Sequence, residues 1–173
     1  MENKKNIQHK SEILFLYDAT YNIPNGDPFT GEQRYDEETK KILVSDVRIK
    51  RFIRTYLEEK GLPIYVSEKT GAGKTDSKNV LEWIAKNRNN NKKTDIAEIL
   101  KEQIDVRLFG GISTLGDDAK KIKVDENACT NGHVQFTGPI QFALLNPSLN
   151  SVNLRMHQNT THFTSKAENT QGS

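Results

Sequence analysis

Several features that would mark a particular class of protein are missing from this chain. Its single cysteine, Cys129, excludes an intrachain disulfide framework and a zinc site made only of thiolates, and it is typical of a reducing compartment. The longest apolar run, which starts at Ile13, has five residues, far fewer than a membrane span needs. The N-terminal segment MENKKNIQHK is charged and polar and does not have the apolar core of a secretory signal. We therefore expect a cytoplasmic protein without a membrane partner.

An excess of one charge sign is also missing, because 25 basic and 23 acidic residues give a formal net charge of +2. Any affinity for nucleic acid must then come from local clusters of charge, since the molecule as a whole produces little positive field. The 173 residues suffice for one domain with a hydrophobic core and are too few for two domains that each bury a substantial core. We expect residues 1–173 to form a single domain.

The stretch SDVRIKRFIRTYLEEKG, residues 45–61, carries the clearest helix signal. Ser45 can cap the first turn, and Asp46 suits the positive end of the helix dipole. Gly61 can adopt the left-handed conformation that ends a helix, and Pro63 prevents its continuation. Apolar side chains recur at helical spacing and predict one stripe that faces a core: Ile49, Phe52, Ile53, Tyr56 and Leu57.

Four cations lie away from that stripe on the helical wheel, with no acidic residue among them: Arg48, Lys50, Arg51 and Arg54. A charged face on an amphipathic helix is commonly just solvated. Arginine forks, however, match the geometry of phosphate, and a helix N-terminus adds free N–H donors. The helix alone leaves both interpretations open.

Upstream of the helix, the apolar run at residues 13–17 predicts a strand at the centre of a sheet that is covered on both faces. Residues 22–28, NIPNGDP, are rich in turn formers and predict a long ordered loop that leads toward the basic helix. Such a loop could present backbone N–H groups to an anion. Downstream of the helix, residues 62–66 predict a second short strand.

The segment GAGKT, residues 71–75, requires a test against the phosphate-binding P-loop, because a predicted strand precedes it and a predicted helix at residues 76–87 follows it. That motif needs a glycine five residues before Gly73, and Glu68 stands there. A carboxylate at this position would repel the phosphates. We therefore expect neither nucleotide binding nor hydrolysis by these residues.

The rest of the chain predicts alternating helical and extended segments. A short helix is expected at residues 80–84 and a second helix at residues 95–104. Beyond them we predict extended structure at 105–109, a loop or small hairpin at 112–131, one bent strand or two strands at 133–145, and the start of a strand at 149–154. Residues 155–173 have almost no apolar periodicity and predict a tail that is mobile or becomes ordered only on a partner.

Read together, the apolar run at 13–17 and four later motifs resemble one known family. The motifs are PNGDP at 24–28, SDVRIKR at 45–51, DVRLFGG at 105–111 and FTGPIQF at 136–142. Their combination and order resemble the backbone subunit, a member of the RAMP superfamily, of type I-B CRISPR Cascade complexes. The resemblance covers residues 11–173.

The resemblance implies an α+β fold, namely a modified RNA-recognition motif of the ferredoxin-like kind, whose copies stack as a filament along the CRISPR RNA. It also implies a helical, fingers-like insertion at residues 67–131 and a tail at 155–173 that is similar to the start of a thumb. The expected partners are CRISPR RNA, copies of the chain or full-length subunits, and other Cascade subunits. No cofactor, metal or catalytic residue is implied.

In that family the basic helix and the preceding loop lie against the RNA sugar-phosphate backbone, so binding should be largely independent of sequence. Carried over to matching positions, the RNA-binding residues are Asn25, Gly26, Ser45, Arg48, Lys50, Arg51 and Arg54. The chain departs from the family at Ile23, since an Asn-Pro-Asn pattern is expected there. Family members also continue well beyond Ser173, so we expect the C-terminal part of the palm sheet and the thumb to be missing.

Two other functions are compatible with the same resemblance. An RNA-cleaving relative would use a loop aspartate, for which Asp27 and Asp36 are the candidates. A shortened homologue could instead join the filament and block its growth. Three histidines lie outside any paired-carboxylate or metal-ligand spacing, so polar or structural roles are expected for them: His133, His157 and His162.

Overall fold

The computed structural model of the chain describes residues 9–67, 77–87 and 93–154. The helices of this part are α1 (Asp46–Glu59), α2 (Ser77–Asn87), α3 (Ile96–Lys101), α4 (Ile104–Phe109) and a 3₁₀ helix (Gly116–Lys121). The strands are β1 (Tyr35–Asp36), β2 (Lys41–Ser45), β3 (Gly110–Thr114), β4 (Lys123–Val124), β5 (Asn127–Ala128), β6 (His133–Thr137) and β7 (Leu145–Pro147). This mixture agrees with the predicted α+β class.

The strands form three small antiparallel sheets in the described part of the chain. Strand β2 lies between β1 and β7, β3 pairs with β6, and β4 pairs with β5. Strand β2 pairs Ile42 with Tyr35 on one side and Leu43 with Pro147 on the other, whereas the ladder of β3 and β6 runs from Gly110 to Thr114. The single continuous sheet of an RRM-like fold is not seen among these residues, so that part of the fold stays a prediction.

Helix α1 begins and ends at the predicted signals. Ser45 has an extended backbone with ψ of 153°, and its Oγ accepts a hydrogen bond from the N–H of Arg48. Gly61 has a φ of +77°, the left-handed conformation expected after a helix. Fewer residues of the predicted stripe are buried than expected, because Ile49 is the one buried residue of the helix and Tyr56 is 58% exposed.

The hydrophobic core lies mainly in residues 80–129, inside the segment predicted as an insertion. Helices α2, α3 and α4 pack there against the 3₁₀ helix and the β4–β5 hairpin. Its fully buried side chains are Leu81, Ile84, Ile96, Ile99, Leu100, Ile122 and Cys129. Burial raises the pKa of the Cys129 thiol, as it does for a sulfur enclosed by apolar groups.

The strand predicted at residues 13–17 is wrong for the described structure. This segment belongs to no sheet, and its side chains are largely exposed, with Ile13 at 74% and Leu14 at 83%. The residue types suit a strand, but a strand also needs a neighbour for its backbone N–H and C=O groups. Within the described ranges, no backbone hydrogen bond is made by residues 11–19.

Two neighbouring predictions are also wrong, and a single carboxylate accounts for the first. Residues 62–66 do not form a strand, because the N–H groups of Tyr65 and Val66 donate to the side chain of Asp105 at 2.8 and 3.1 Å. Residues 105–109 are helical in α4 and not extended. Gly110, with a φ of +86°, ends that helix and starts β3.

The remaining predictions have mixed outcomes. Residues 80–84 lie inside α2, and the hairpin expected within 112–131 is confirmed as β4–β5. The stretch 133–145 contains β6 and the first residue of β7, separated by the break at Gly138. Residues 149–154 form no strand, although the N–H of Val152 donates to Lys40 O at 2.7 Å. The predictions for residues 71–75 and the tail at 155–173 lie outside the described residues.

Candidate functional site

The loop at residues 22–28 and the start of α1 form one surface. The Oδ1 atom of Asn25 accepts hydrogen bonds from the backbone N–H of Ser45 at 2.7 Å and from its hydroxyl at 2.8 Å. The Nε atom of Arg48 donates to the carbonyl of Pro24 at 3.0 Å. Two stretches that the sequence singles out separately are therefore held against each other.

Asn25 and Ser45 use their polar groups inside this contact. Asn25 is only 9% exposed, its Nδ2 donates to Gly26 O, and its own N–H donates to the side chain of Gln33. The hydroxyl of Ser45 donates to Asn25 and accepts from the N–H of Arg48, so its donor and one acceptor site are occupied. Both residues thus fix the shape of the surface, while Gly26 is exposed on it.

Arg48 presents the most accessible cation of this surface. The residue is exposed, and its guanidinium carbon lies 4.8 Å from the centre of the Phe52 ring, a cation–π arrangement. Burial raises the pKa of the neighbouring Tyr17 phenol, while the positive charge of Arg48 opposes that rise. The Pro24 carbonyl and the Phe52 ring therefore hold the guanidinium of this exposed residue in place.

Lys50 and Arg51 are half-buried beside Arg48. The Nζ atom of Lys50 lies 2.8 Å from Asp46 Oδ2 one turn earlier, and the two side chains are 19% and 16% exposed. This ion pair reduces the positive charge that Lys50 offers to a ligand. Arg51 has interactions of its own in the structure and is not a bare surface charge.

The orientation predicted for Arg54 is wrong. Its side chain is only 14% exposed, and its Nε atom donates a hydrogen bond to Asp105 Oδ2 at 3.0 Å. The side chain of Asp105 is itself only 1% exposed. The guanidinium also lies 5.2 Å from the centre of the Phe109 ring on α4. The helical wheel placed Arg54 opposite the apolar stripe, but a long side chain can turn toward a buried counter-ion.

Asp27 and Asp36, the candidates for a cleaving role, act as acceptors for their own turns. Hydrogen bonds from the N–H groups of Phe29 and Thr30 lower the pKa of Asp27. The pKa of Asp36 is also lowered, and the hydrogen bond from the Thr39 hydroxyl is the largest cause. A lowered pKa makes a carboxylate a weaker base and a poor proton donor near neutral pH. Among the described residues, no three side chains of His, Cys, Asp or Glu gather into a metal-binding group.

Asp105 is the residue that sequence reasoning missed. Its carboxylate joins Arg54 of α1 to the backbone of Tyr65 and Val66 and to α4 itself. One signal is present in the sequence, since Asp105 lies among the apolar residues Val106, Leu108 and Phe109 in the stretch DVRLF. No helix of the described part is both long enough and apolar enough to cross a membrane.

Comparison with known proteins gives a consistent result. The family model described as CRISPR-associated protein Cas7 matches residues 9–173. A CRISPR-associated protein Cas7 from Haloferax volcanii is 33% identical over 153 residues, which are 83% of this chain and 44% of the archaeal protein. The chain thus spans less than half the length of that relative. No solved structure matches the chain significantly.

Proposed function

Because this chain belongs to the Cas7 family of CRISPR-associated proteins, we propose that it binds the sugar-phosphate backbone of CRISPR RNA as a non-catalytic subunit of a Cascade-like complex. The other subunits of that complex and further copies of the chain are its proposed protein partners. Sequence-independent binding follows from this assignment, because contacts to phosphate and sugar position a protein without reading bases.

The observation that carries the proposal is the joining of the loop to the basic helix through Asn25, Ser45 and Arg48. A surface made before the ligand arrives loses less conformational entropy on binding. Arg48 has five N–H donors, of which the one on Nε is used by Pro24. The donors on its two terminal nitrogens match the oxygens of a phosphate.

The seven predicted RNA-binding residues receive different roles in this proposal. Arg48, Lys50, Arg51 and Gly26 form the surface that contacts RNA. Asn25 and Ser45 are positioning residues, because their polar groups hold the loop on α1. Arg54 is a structural residue, since its guanidinium is engaged by buried Asp105.

The test is Arg48→Ala, measured against two single-stranded RNAs of unrelated sequence. The affinity should fall by a similar factor for both RNAs, and the slope of log K against log salt should become shallower by about 0.7 for each lost phosphate contact. Arg107→Ala is the matched control, because it removes an exposed arginine from α4. Equal affinities and slopes for wild type and Arg48→Ala would remove the basis of the proposal.

A further inference from the structure

Two arginines attach to neighbouring residues of the loop that leads to α1. The side chain of Arg48 donates to Pro24 O, and the backbone N–H of Arg34 donates to the next carbonyl, Asn25 O, at 3.1 Å. The carbonyl of Arg34 accepts a hydrogen bond from the N–H of Leu43 in β2 at 2.9 Å. The backbone of Arg34 is thus fixed between the loop and the strand that runs directly into α1, which places this residue beside the candidate site.

The guanidinium of Arg34 has a weak partner. Its Nη1 atom lies 3.5 Å from Asp27 Oδ2, and the two side chains are 33% and 30% exposed. Hydrogen bonds between a guanidinium and a carboxylate are usually about 2.7–2.9 Å long, so this pair is held mainly by charge. The Nε atom of Arg34 is enclosed by described residues, and none of them accepts a hydrogen bond from it. The fork of this arginine is therefore poorly matched by its partner in the free chain.

Asp27 is held in place by its own turn. Its Oδ1 atom accepts hydrogen bonds from the N–H groups of Phe29 at 2.9 Å and Thr30 at 3.4 Å, so the turn sets the position of the carboxylate. Its Oδ2 atom makes one long contact with Arg34, where an arginine and an unrestrained carboxylate can form two parallel hydrogen bonds. A phosphate of RNA has no such restraint, and its oxygens match the fork of an arginine.

We propose that Arg34 binds an RNA phosphate and that Asp27 competes with the RNA for this arginine. The inference rests on the proposed function. In the free chain the carboxylate of Asp27 takes the place of the phosphate. When RNA binds, a phosphate oxygen pairs with the guanidinium, while Asp27 stays bonded to Phe29 and Thr30. Such an internal competitor lowers the affinity for every RNA to a similar degree, because phosphate contacts do not depend on the base sequence.

The test is a double-mutant cycle on the affinity of the 173-residue chain for one single-stranded RNA. Asp27→Asn removes the charge and keeps an oxygen for the N–H groups of the turn, so it should tighten binding about threefold. Arg34→Ala should weaken binding and make the salt slope shallower by about 0.7. The double variant should bind like Arg34→Ala, because its residue 27 has no arginine to hold.

Glu32→Gln is the matched control, because it removes a carboxylate from the same turn and leaves the pair of Asp27 and Arg34 intact. Glu32 is exposed, and its carbonyl accepts a hydrogen bond from the N–H of Asp27 at 2.6 Å. A general loss of repulsion from RNA would tighten binding in Glu32→Gln as well, whereas the proposed competition limits the gain to Asp27→Asn. A gain in affinity does not arise from misfolding, so it can be interpreted whatever the stability of Arg34→Ala.

Three outcomes separate this inference from the proposed function. A gain from Asp27→Asn that persists in full when Arg34 is also replaced, or no gain at all, would overturn the competition. If RNA binding is lost in Arg48→Ala but shows no coupling between Asp27 and Arg34, the inference alone fails. A wild-type chain that does not bind RNA overturns both.

Discussion

Replacing Asp105 by alanine should destabilise the fold strongly, because one buried carboxylate serves three donors. It accepts hydrogen bonds from Arg54 Nε at 3.0 Å, from Tyr65 N–H at 2.8 Å and from Val66 N–H at 3.1 Å. Alanine would leave a guanidinium that is 14% exposed without its counter-ion and would leave two backbone donors without an acceptor.

The expected loss is about 3–5 kcal/mol in the free energy of unfolding, which is the usual cost of removing one partner from a buried ion pair. Each unpaired N–H can add about 1–3 kcal/mol, but partial relaxation of Arg54 toward solvent offsets some of this. A domain of this size is typically stable by about 5–15 kcal/mol, so the loss is a large fraction of the total.

The assay is urea unfolding, followed by the fluorescence of Trp83, the single tryptophan, and by circular dichroism. Asp117→Ala is the matched control, because Asp117 is 92% exposed and pairs with Lys120 on the surface. This variant should unfold at nearly the same urea concentration as the wild type, because an exposed ion pair contributes little to stability. Asp105→Asn keeps one acceptor oxygen and loses the other oxygen and the charge, so its unfolding free energy should lie between those of the two alanine variants. If Asp105→Ala unfolded at the same urea concentration as Asp117→Ala, the role of this carboxylate would be refuted.

Three further predictions follow from individual residues. Arg54→Ala should lower the unfolding free energy and leave the salt slope of RNA binding unchanged; a slope shallower by about 0.7 would place Arg54 on a phosphate instead. Gly138→Ala should be destabilising, because its Cβ would overlap the carbonyl of Leu108, whereas Gly26→Ala meets only ordinary contacts and should unfold like the wild type in the same urea assay. The wild-type chain should release no heat of binding when it is titrated with ATP, and Lys74→Ala should behave identically. ATP binding by the wild type that is lost in Lys74→Ala would contradict the prediction.

Helix α1 could be predicted because its signals are local. The hydroxyl of Ser45 and the left-handed Gly61 act within one turn of the helix ends, and both lie where the sequence indicates. The contact of Asn25 with Ser45 could not be predicted in the same way, since 20 residues separate the two in sequence. The sequence therefore identified the pieces of the candidate site without showing how they meet.

The errors arise where distant residues decide the outcome. Residues 13–17 have the composition of a strand, but pairing depends on a neighbour that local sequence does not specify. Residues 105–109 were predicted to be extended, but in a segment this short the positions of the apolar residues do not separate a strand from a buried helix. Arg54 illustrates the same difficulty, since its direction is set by Asp105, which lies 51 residues away in sequence.

The uneven placement of buried side chains has a consequence for the order in which the molecule opens. Helices α2, α3 and α4 share a packed core, whereas α1 has Ile49 as its one buried residue. Local opening costs least where few apolar contacts are buried, so α1 and its attached loop should exchange backbone hydrogens before the packed helices do. A ligand that binds the closed form of this surface adds its binding free energy to the stability of that region. RNA bound as proposed would therefore slow hydrogen exchange in α1 and its attached loop.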